Sequence, residues 1–461
     1  MQTEFILDKT AFRTYDIRGV VGQALTEESV FYIGKALGSL TQEKGETCLT
    51  MARDGRISSP LLAKALAQGI QASGCDVMDI GMVPTPLLYY ATHILNQHSG
   101  VMLTGSHNPA EYNGLKTVIQ GKTLSEEGIS ELYQRIIEKR FREGAGTYQQ
   151  QDIEARYIAE VVERIKLSRR LKIVIDAGNG ATGDIAPKLF RALGCEVHEL
   201  FCEVDGNFPN HHPDPTQEEN LQDLIRAVQA TQADVGLAFD GDGDRVGMVT
   251  NGGTIISSDR LLMLFAKALL ARKPGATIIF DVKCTNNLAQ LIKTCGGNPV
   301  MWKTGHSLIK AKMLELNALL AGEMSGHIFF KDGWYGFDDA LYAGARLLEI
   351  LAHEKEDAEN LFAAIPNSVI TPELRVAIND SEKFQLMQKL IDHARFDDAD
   401  VNTIDGLRVS FREGWGLVRP SNTTPYLILR FEAVNEVILN EIQHLFRNWM
   451  LSVRADLALP F

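Results

Sequence analysis

Three stretches of this 461-residue chain follow one plan, and this repeat restricts the fold more than any other feature of the sequence. Each stretch has an apolar strand-like run that ends near an Asp, then a polar loop, an amphipathic helical pattern, a Gly and a second apolar run. The stretches are TCLTMARDGRISSPLLAKALAQGIQASGCDVMDIG, LKIVIDAGNGATGDIAPKLFRALGCEVHELF and ATIIFDVKCTNNLAQLIKTCGGNPVMWKTG. Because these βαβ units start roughly a hundred residues apart, they predict three similar mixed α/β domains.

The last part of the chain departs from this plan. VNTIDGLRVSFREGWGLVRPSNTTPYLILRFEA alternates apolar and polar residues between Gly-rich turns, and a helical pattern through Ile438, Ile442 and Phe446 follows it. We therefore expect a C-terminal α+β domain. Boundaries beside EGAGTYQQQD, TNGGT and AAIPNS divide the chain into residues 1–152, 153–254, 255–366 and 367–461.

Composition and charge exclude several classes of protein. A net charge of −13 argues against a general nucleic-acid binder, whose affinity depends on basic surface. The first thirty residues lack a signal-peptide pattern, and no apolar run approaches the roughly 20 residues that a membrane span needs. Six scattered cysteines without a CxxC pair are typical of reduced thiols, so we expect a cytoplasmic protein. An anionic substrate would need a local positive pocket.

The segment ADVGLAFDGDGDRVGMV contains the strongest local motif. An apolar strand ends in Asp240, Asp242 and Asp244, which are separated by glycines, and such a cluster repels itself unless a hard divalent cation lies among the oxygens. An EF-hand is excluded because Arg245 stands where the loop requires Gly, and Asn251 stands where it requires Glu. A surface acidic turn is the alternative. A strand-end loop of an α/β unit is where ligands usually bind, and we expect Mg²⁺.

A rival motif lies in the second repeat. IVIDAGNGATG matches G-x-G-x-x-G through Gly178, Gly180 and Gly183, follows a strand, opens a helix and has Glu199 at the end of the next strand. This is the pattern of a dinucleotide-dependent oxidoreductase. Against it, the motif lies in the middle of the chain, and the other two repeats have ARDGRISS and FDVKCTNN in its place.

Three further loops carry polar side chains suited to phosphate and sugar. VRPSNTTP combines one guanidinium with several hydroxyl and amide donors, which can hold a phosphate. GEMSGH mixes a carboxylate, a hydroxyl and an imidazole suited to sugar hydroxyls. In VMLTGSHNPAEYNGLK, a strand that ends at Gly105 leaves Ser106 on an irregular loop, where its hydroxyl is available for chemistry. Each loop also has an ordinary interpretation, as a turn whose side chains bond their own backbone.

Taken in order, YDIRG, TGSHNP, DGDGDR, GEMSGH and RPSNTTP resemble the α-D-phosphohexomutase family over essentially the whole chain. Within that family the sequence is most similar to the bacterial phosphomannomutase/phosphoglucomutase enzymes, whose sugar loop reads GEMSGH. Phosphoglucosamine mutases, which differ at the position of Met324, are the alternative. The resemblance implies four domains around a central cleft, with one loop each for phosphoserine, metal, sugar and phosphate. It makes the dinucleotide interpretation of GNGATG the weaker one.

The resemblance also implies a reaction. Ser106 is then the phosphoryl carrier, and one Mg²⁺ is held by Asp240, Asp242, Asp244 and Ser106. A hexose 1-phosphate, of mannose or glucose, becomes the hexose 6-phosphate through a 1,6-bisphosphate that reorients in the cleft, and glucose 1,6-bisphosphate serves as activator and intermediate. The implied partners are small hexose phosphates, with no nucleic acid and no membrane, and the implied state is a monomer.

The remaining site residues are likewise taken from the family pattern. We expect Lys116 or His327, with a lowered pKa, to carry the proton of the sugar hydroxyl, and Arg18 to stabilise charge because a guanidinium does not deprotonate. Glu323 and Ser325 are expected to hold sugar hydroxyls, and Arg419, Ser421, Asn422 and Thr423, with Tyr15 close by, the non-reacting phosphate. The remaining cleft contacts are Arg245, which we count as catalytic, Lys283 and His306.

Overall fold

The computed structural model describes residues 7–95, 97–379, 381–421 and 424–461, which form four β-sheets with helices packed against them. The first sheet has the strand order β1-β5-β4-β2-β3-β7, with β6 beside β5. Its strands are β1 (Ile17–Val20), β2 (Cys48–Arg53), β3 (Asp76–Met82), β4 (Gly100–Leu103), β5 (Tyr112–Ile119), β6 (Lys122–Thr123) and β7 (Tyr148–Gln150). A 3₁₀ turn at Lys9–Ala11 precedes them, and the helices are α1 (Glu27–Glu43), α2 (Ser59–Ala72), α3 (Thr85–Ile94) and α4 (Glu127–Ile137).

The second sheet has the order β12-β11-β10-β8-β9. Its strands are β8 (Lys172–Asp176), β9 (Glu196–Leu200), β10 (Val235–Phe239), β11 (Val246–Thr250) and β12 (Ile255–Ile256). The helices of this part of the chain are α5 (Glu154–Arg164), α6 (Thr182–Ala192) and α7 (Gln222–Thr231), with a 3₁₀ turn at Glu218–Leu221. In α6 the residues Ile185, Leu189 and Phe190 are buried, and Gly194 follows with a φ of +93°, so the helix predicted from this stripe is confirmed.

The third and fourth sheets have the orders β14-β13-β15-β16 and β17-β22-β21-β20-β19, and β18 pairs with β22. The third contains β13 (Thr277–Asp281), β14 (Asn298–Trp302), β15 (Leu320–Gly322) and β16 (Ile328–Phe330), with α8 (Ser258–Arg272), α9 (Asn286–Thr294), α10 (His306–Leu316), α11 (Ala340–His353) and α12 (Ala358–Ala363). The fourth contains β17 (Val369–Ile370), β18 (Leu374–Ala377), β19 (Asp400–Asn402), β20 (Leu407–Phe411), β21 (Gly414–Pro420) and β22 (Tyr426–Ala433), with α13 (Lys383–Asp392) and α14 (Glu436–Val453).

The repeat predicted from the sequence is present in the first three sheets. The units β2–α2–β3, β8–α6–β9 and β13–α9–β14 each join two neighbouring parallel strands. In each sheet the first strand of the unit also pairs in parallel with β4, β10 or β15, and that strand is followed by an antiparallel partner, β5, β11 or β16. The loops after β4, β10 and β15 therefore occupy equivalent positions, at the carboxyl ends of parallel strands where α/β sheets bind ligands.

The last sheet is antiparallel throughout and packs against α14, as the alternating pattern of the tail predicts. The mixed α/β sheets and the α+β tail confirm the predicted fold class.

β12 pairs within the second sheet and β17 within the fourth. The domain boundaries after residues 152, 254 and 366 stay a prediction. No helix in the described part of the chain is long and apolar enough to cross a membrane.

Candidate active site

Ser106 lies just beyond the end of β4 in a constrained backbone conformation. Its φ is +50°, in the left-handed region, and the residue is only 2% exposed. Its hydroxyl donates to Asp240 Oδ2 at 3.0 Å and lies 3.1 Å from His107 Nδ1, while its N–H donates to Thr104 Oγ1 at 2.8 Å. The Ser106 side chain is therefore directed at the acidic loop after β10, and the ordinary turn bond of this loop is made by Thr104, not by Ser106.

The three aspartates after β10 are fully buried and form one cluster, with one carboxylate oxygen of each within 4.8 Å of the others. Asp240 Oδ1 accepts the backbone N–H groups of Asp244 and Arg245, both at 3.1 Å. Oδ1 of Asp242 and Oδ1 of Asp244 are buried and have no hydrogen-bond partner among the described residues. Buried carboxylate oxygens without a donor are the ligands that a hard cation prefers, so the donor set fits Mg²⁺.

Lys116, on β5, neutralises part of this negative charge. Its ammonium lies 2.6 Å from Asp242 Oδ2 and also contacts Asp244 Oδ2. Burial lowers the pKa of Lys116, but the three aspartates outweigh this and hold it above its usual value. The expectation of a lowered pKa for Lys116 is therefore wrong: the aspartates, which come from another sheet, keep the amine charged.

Burial, together with the charges of Asp242 and Asp244, raises the pKa of Asp240 well above its usual value. Burial acts in the same direction on Asp242, but the Lys116 charge outweighs it and lowers the pKa of this carboxyl. The pKa values of Asp240 and Asp242 are therefore shifted in opposite directions. Burial and like-charged neighbours both favour the neutral form of Asp240, and a cation bound among the three carboxylates would favour the ionised form instead.

The metal loop and the sugar loop are in direct contact. Arg245 and His327 form an isolated antiparallel bridge, and Arg245 Nε donates to His327 Nε2 at 3.0 Å. On the other side of this imidazole, Nδ1 lies 3.1 Å from Asp338 Oδ2 and 3.5 Å from Asp244 Oδ1. Asp338 is fully buried, and its other oxygen accepts from Lys310 Nζ at 2.9 Å. His327 is therefore held between a guanidinium and a carboxylate.

Glu323 and His306 line the adjoining part of the site. Glu323 Oε2 accepts the N–H of Gly305 at 3.1 Å, while its Oε1 is buried without a hydrogen-bond partner among the described residues. Burial raises the pKa of Glu323 to about 7. The His306 ring, at the start of α10, stacks on His327 at a centroid distance of 5.5 Å and lies edge-on to Tyr15 at 5.6 Å. Burial lowers its pKa well below the usual range, so this imidazole is neutral.

The phosphate loop after β21 lies next to the sugar loop. Arg419 is 5% exposed, and its Nε donates to Asp405 Oδ2 at 3.0 Å. The same oxygen accepts the N–H of Thr304, whose hydroxyl donates to Asp281 Oδ2 at 2.9 Å. Asp281 Oδ1 in turn accepts the N–H of Met324 in GEMSGH at 3.2 Å. A chain of hydrogen bonds thus joins the fourth sheet to the third.

The other predicted residues are distributed as follows. Ser421 Oγ accepts from Thr424 N and Oγ1 at 3.1 and 2.7 Å, and Ser325 is partly exposed beside Glu323. Lys283 Nζ donates to Glu373 Oε2 at 2.8 Å. Arg18 donates from Nη1 to Asn108 Oδ1 at 2.6 Å and from Nη2 to Asp16 Oδ2 at 2.5 Å. Asn422 and Thr423 fall outside the described residues.

Family models of the phosphoglucomutase/phosphomannomutase alpha/beta/alpha domains I, II and III match residues 9–143, 155–253 and 257–369, and the model of the C-terminal domain matches residues 373–448. The chain belongs to the phosphoglucomutase/phosphomannomutase family. A phosphomannomutase/phosphoglucomutase of Pseudomonas aeruginosa is 55% identical over 455 residues, covering 99% of this chain and 98% of the relative. A phosphoglucomutase of Neisseria gonorrhoeae is 50% identical over 446 residues, 96% of both chains.

The crystal structure of a phosphoglucomutase/phosphomannomutase family protein from Burkholderia thailandensis is also similar to this chain. Its TM-score is 0.95 at 51% sequence identity, with 99% of this chain and 100% of that chain covered. The resemblance recognised from five short motifs is thus confirmed, and the family's multidomain α/β fold extends over the full described chain.

In this family member the glycines of GNGATG have a packing function. A Cβ on Gly180 would lie 2.8 Å from the carbonyl oxygen of Gly241, and Ala181 N–H donates to that same oxygen at 2.9 Å. A Cβ on Gly183 would lie 2.2 Å from the carbonyl oxygen of Cys202. The metal loop therefore occupies the space in front of α6, where a dinucleotide pyrophosphate would have to bind.

Several polar residues at the site were missed by the sequence analysis, among them Arg56 and Asp338. The Arg56 guanidinium donates a hydrogen bond to the carbonyl oxygen of Ser106, and the Asp338 carboxylate lies next to His327 Nδ1. The signal for Arg56 is its place in ARDGRISS, the strand-end loop of the first repeat, which corresponds to the GNGATG loop of the second. Asp338 precedes Asp339, which caps α11, and an Asp beside a helix cap carries no functional signal in the sequence.

Proposed function

We propose that this chain interconverts hexose 1-phosphates and hexose 6-phosphates, with mannose and glucose phosphates as substrates. The names of relatives that are 50–55% identical over nearly the whole chain support this activity. The observation that carries it is local: the Ser106 hydroxyl lies 3.0 Å from an oxygen of a buried aspartate cluster. A hydroxyl next to a cation site is the arrangement that a phosphoryl carrier requires.

Asp240, Asp242 and Asp244 would hold Mg²⁺ in this proposal, together with the phosphate on Ser106. When bound, the ion supplies Lewis-acid withdrawal of negative charge from the transferring phosphoryl group. Lys116, which the aspartates keep protonated, supplies a second positive charge at the same place. Arg18, directed at the loop by its bond to Asn108, supplies a third.

The first transfer begins when the 6-hydroxyl of a hexose 1-phosphate attacks the phosphorus on Ser106. The new O6–P bond forms while the P–Oγ bond breaks, and Oγ leaves as the alkoxide that attacks in the second transfer. The hydroxyl proton passes to His327 Nε2 once Arg245, whose N–H this nitrogen accepts here, has released it. The bisphosphate then reorients. In the second transfer Ser106 Oγ attacks the phosphorus at O1, and the proton returns to O1 as the bond to phosphorus breaks, so the net reaction is isomerisation.

The substrate is held by groups remote from the reacting bond. Glu323 and Ser325 accept and donate to sugar hydroxyls, with His306, Lys283 and Arg245 beside them in the cleft. Arg419 holds the second phosphate with Ser421, Asn422, Thr423 and Tyr15 nearby, because a guanidinium can grip two phosphate oxygens at once. Released glucose 1,6-bisphosphate would rephosphorylate Ser106 and so act as activator.

We further propose that the enzyme is a cytoplasmic monomer divided after residues 152, 254 and 366. Free cysteines, spread over the chain without a disulfide among the described residues, support a reducing compartment.

Steady-state assays of three sugars test the proposed function. Glucose and mannose differ only at carbon 2, while Glu323 and Ser325 are assigned to the 3- and 4-hydroxyls, which exchange places on reorientation. We expect both 1-phosphates to be turned over with kcat/KM values within roughly tenfold, and N-acetylglucosamine 1-phosphate to be much poorer. A preference for glucose over mannose above about a hundredfold would contradict the loosely held 2-position. Absence of turnover with all three would contradict the mutase itself.

A further inference from the structure

Arg56 lies between β2 and α2, beneath the loop that carries Ser106, and is 2% exposed. Its Nη1 donates to the carbonyl oxygens of Pro109 and Tyr112 at 2.5 and 3.0 Å. Its Nη2 donates to those of Ser106 and Asn108 at 2.7 and 2.6 Å. One guanidinium therefore binds four backbone carbonyls of a single loop.

The loop depends on these bonds because its carbonyls point inward. A buried carbonyl without a hydrogen-bond donor is unfavourable. Ser106 also has a left-handed φ of +50°, which residues other than glycine rarely adopt. A Cβ on Gly105 would lie 2.4 Å from Arg56 Cζ and Nε, so the backbone at Gly105 rests directly on the guanidinium. The guanidinium thus supports both the peptide before Ser106 and the carbonyls after it.

Asp54 fixes Arg56 from the other side. Its Oδ2 accepts from Arg56 Nε at 3.2 Å and from Gly105 N at 3.1 Å. Its Oδ1 accepts from Arg56 N at 3.1 Å and from Ser59 Oγ at 2.6 Å. The carboxylate and the guanidinium form one buried pair whose hydrogen bonds are all made within the first domain.

Arg56 also contacts the second domain. Its guanidinium carbon lies 5.1 Å from the centroid of the Phe208 ring, which is within the range of a cation–π contact. A Cβ on Gly206 would lie 2.7 Å from Arg56 Cα, so the segment around these residues lies directly against Arg56. Arg56 is therefore enclosed between the Ser106 loop and the domain that carries the aspartate cluster.

We propose that Arg56 is a positioning residue for phosphoryl transfer, holding the backbone of Ser106 where Oγ reaches both the aspartate cluster and the substrate. This inference rests on the proposed function, because it requires Ser106 to be the carrier. Arg56 touches no substrate, since its side-chain nitrogens are taken up by Asp54 and by backbone carbonyls. Its removal displaces the reacting atom without removing a binding group.

The test is Arg56→Lys, which keeps the charge but replaces a planar fork by one ammonium that cannot reach four carbonyls. We expect kcat to fall about a hundredfold, the effect of a misplacement near 1 Å, while KM changes by less than about threefold. The matched control is Arg135→Lys in the same domain. Arg135 is also buried and donates to both carboxylate oxygens of Glu43, at 2.7 and 2.6 Å, away from the Ser106 loop. The control is expected to lose thermal stability but keep kcat.

A second variant covers the case in which Arg56→Lys does not fold. Gly105→Ala pushes a methyl group against the same guanidinium and is expected to give the same signature, a lower kcat with an unchanged KM. In Arg56→Ala, added methylguanidinium is expected to restore part of kcat, whereas it does nothing for Arg135→Ala. A merely structural role for Arg56 would instead resemble the Arg135 control, with a lower melting temperature and kcat retained.

The inference is overturned if Arg56→Lys folds and keeps kcat within about threefold of the wild type, or if KM rises as much as kcat falls. The state of Ser106 in the wild type separates this failure from failure of the proposed function. A wild type that carries phosphate on Ser106 and turns over sugar phosphates, beside a fully active Arg56→Lys, refutes the positioning role alone. A wild type that never carries phosphate on Ser106 refutes the proposed function, and the positioning role with it.

Discussion

Replacing Gly241 by Ala should separate the metal loop from the Ser106 loop. A Cβ at Gly241 would lie 2.4 Å from the carbonyl oxygen of Ser106, whereas such contacts are not found below 3.0 Å and become ordinary at 3.4 Å. The oxygen must therefore move by the difference, at least 0.6 Å and up to 1.0 Å. Pro213 Cγ, 3.3 Å from the same Cβ, restricts movement of the methyl group in another direction.

This shift acts directly on the proposed chemistry. Ser106 Oγ lies 3.0 Å from Asp240 Oδ2, so a displacement of this size breaks the hydrogen bond between carrier and metal loop. Misplacement of a reacting group by about 1 Å costs roughly a hundredfold in rate. We expect kcat for glucose 1-phosphate to fall by about tenfold to a hundredfold, measured with an assay coupled to formation of the 6-phosphate.

Gly236→Ala is the matched control. Its Cβ would lie 2.8 Å from Leu224 Cδ1 and from Val228 Cγ2, in the core of the same domain, so it costs stability without touching either loop. The control should show a lower melting temperature with kcat retained. If Gly241→Ala keeps the wild-type kcat, the close approach of the two loops is not required and the reasoning is refuted.

Three other substitutions give separate outcomes. Asp242→Asn should raise the Mg²⁺ concentration at half-maximal activity, because an amide is a weaker ligand than a carboxylate; an unchanged midpoint would exclude Asp242 as a ligand. Arg419→Ala should lower kcat/KM mainly through KM, and an unchanged kcat/KM would remove it from the site. The Glu323 carboxyl has its pKa raised to about 7, so its protonated form is favoured in the folded state. Its contribution to the free energy of unfolding is fully present below pH 4.5 and is lost as the pH rises through 7. Glu323→Gln should therefore gain stability relative to the wild type by about 2 kcal/mol between pH 5 and pH 8 in denaturant unfolding, and a constant difference would contradict the raised pKa.

The sequence predicts those parts of the fold that depend on local periodicity. The three βαβ units follow from apolar runs and helical stripes such as Ile185, Leu189 and Phe190, which are short-range patterns. The metal loop was equally visible, because Asp240, Asp242 and Asp244 stand at every second position of the chain and repel one another without a cation.

What depends on contacts between distant segments could not be predicted. The raised pKa of Lys116 arises from aspartates in the loop after β10, a strand of another sheet, and only the fold brings Asp242 within 2.6 Å of the Lys116 amine. The role of Gly180 follows from its approach to Gly241, which the sequence shows only as a match to a dinucleotide motif. Arg56 is buried under a loop fifty residues further on, and an arginine after a strand gives no sign of its partners.

Intact mass spectrometry of the purified protein tests the central claim, that Ser106 carries the transferred phosphoryl group. The wild type should contain a species heavier by one phosphoryl group, which phosphatase removes and glucose 1,6-bisphosphate restores. Ser106→Ala should keep the fold, lack the heavier species under every condition and lose most of its activity. A Ser106→Ala variant that still accepts the phosphoryl group, or that turns over glucose 1-phosphate at the wild-type rate, would contradict the account.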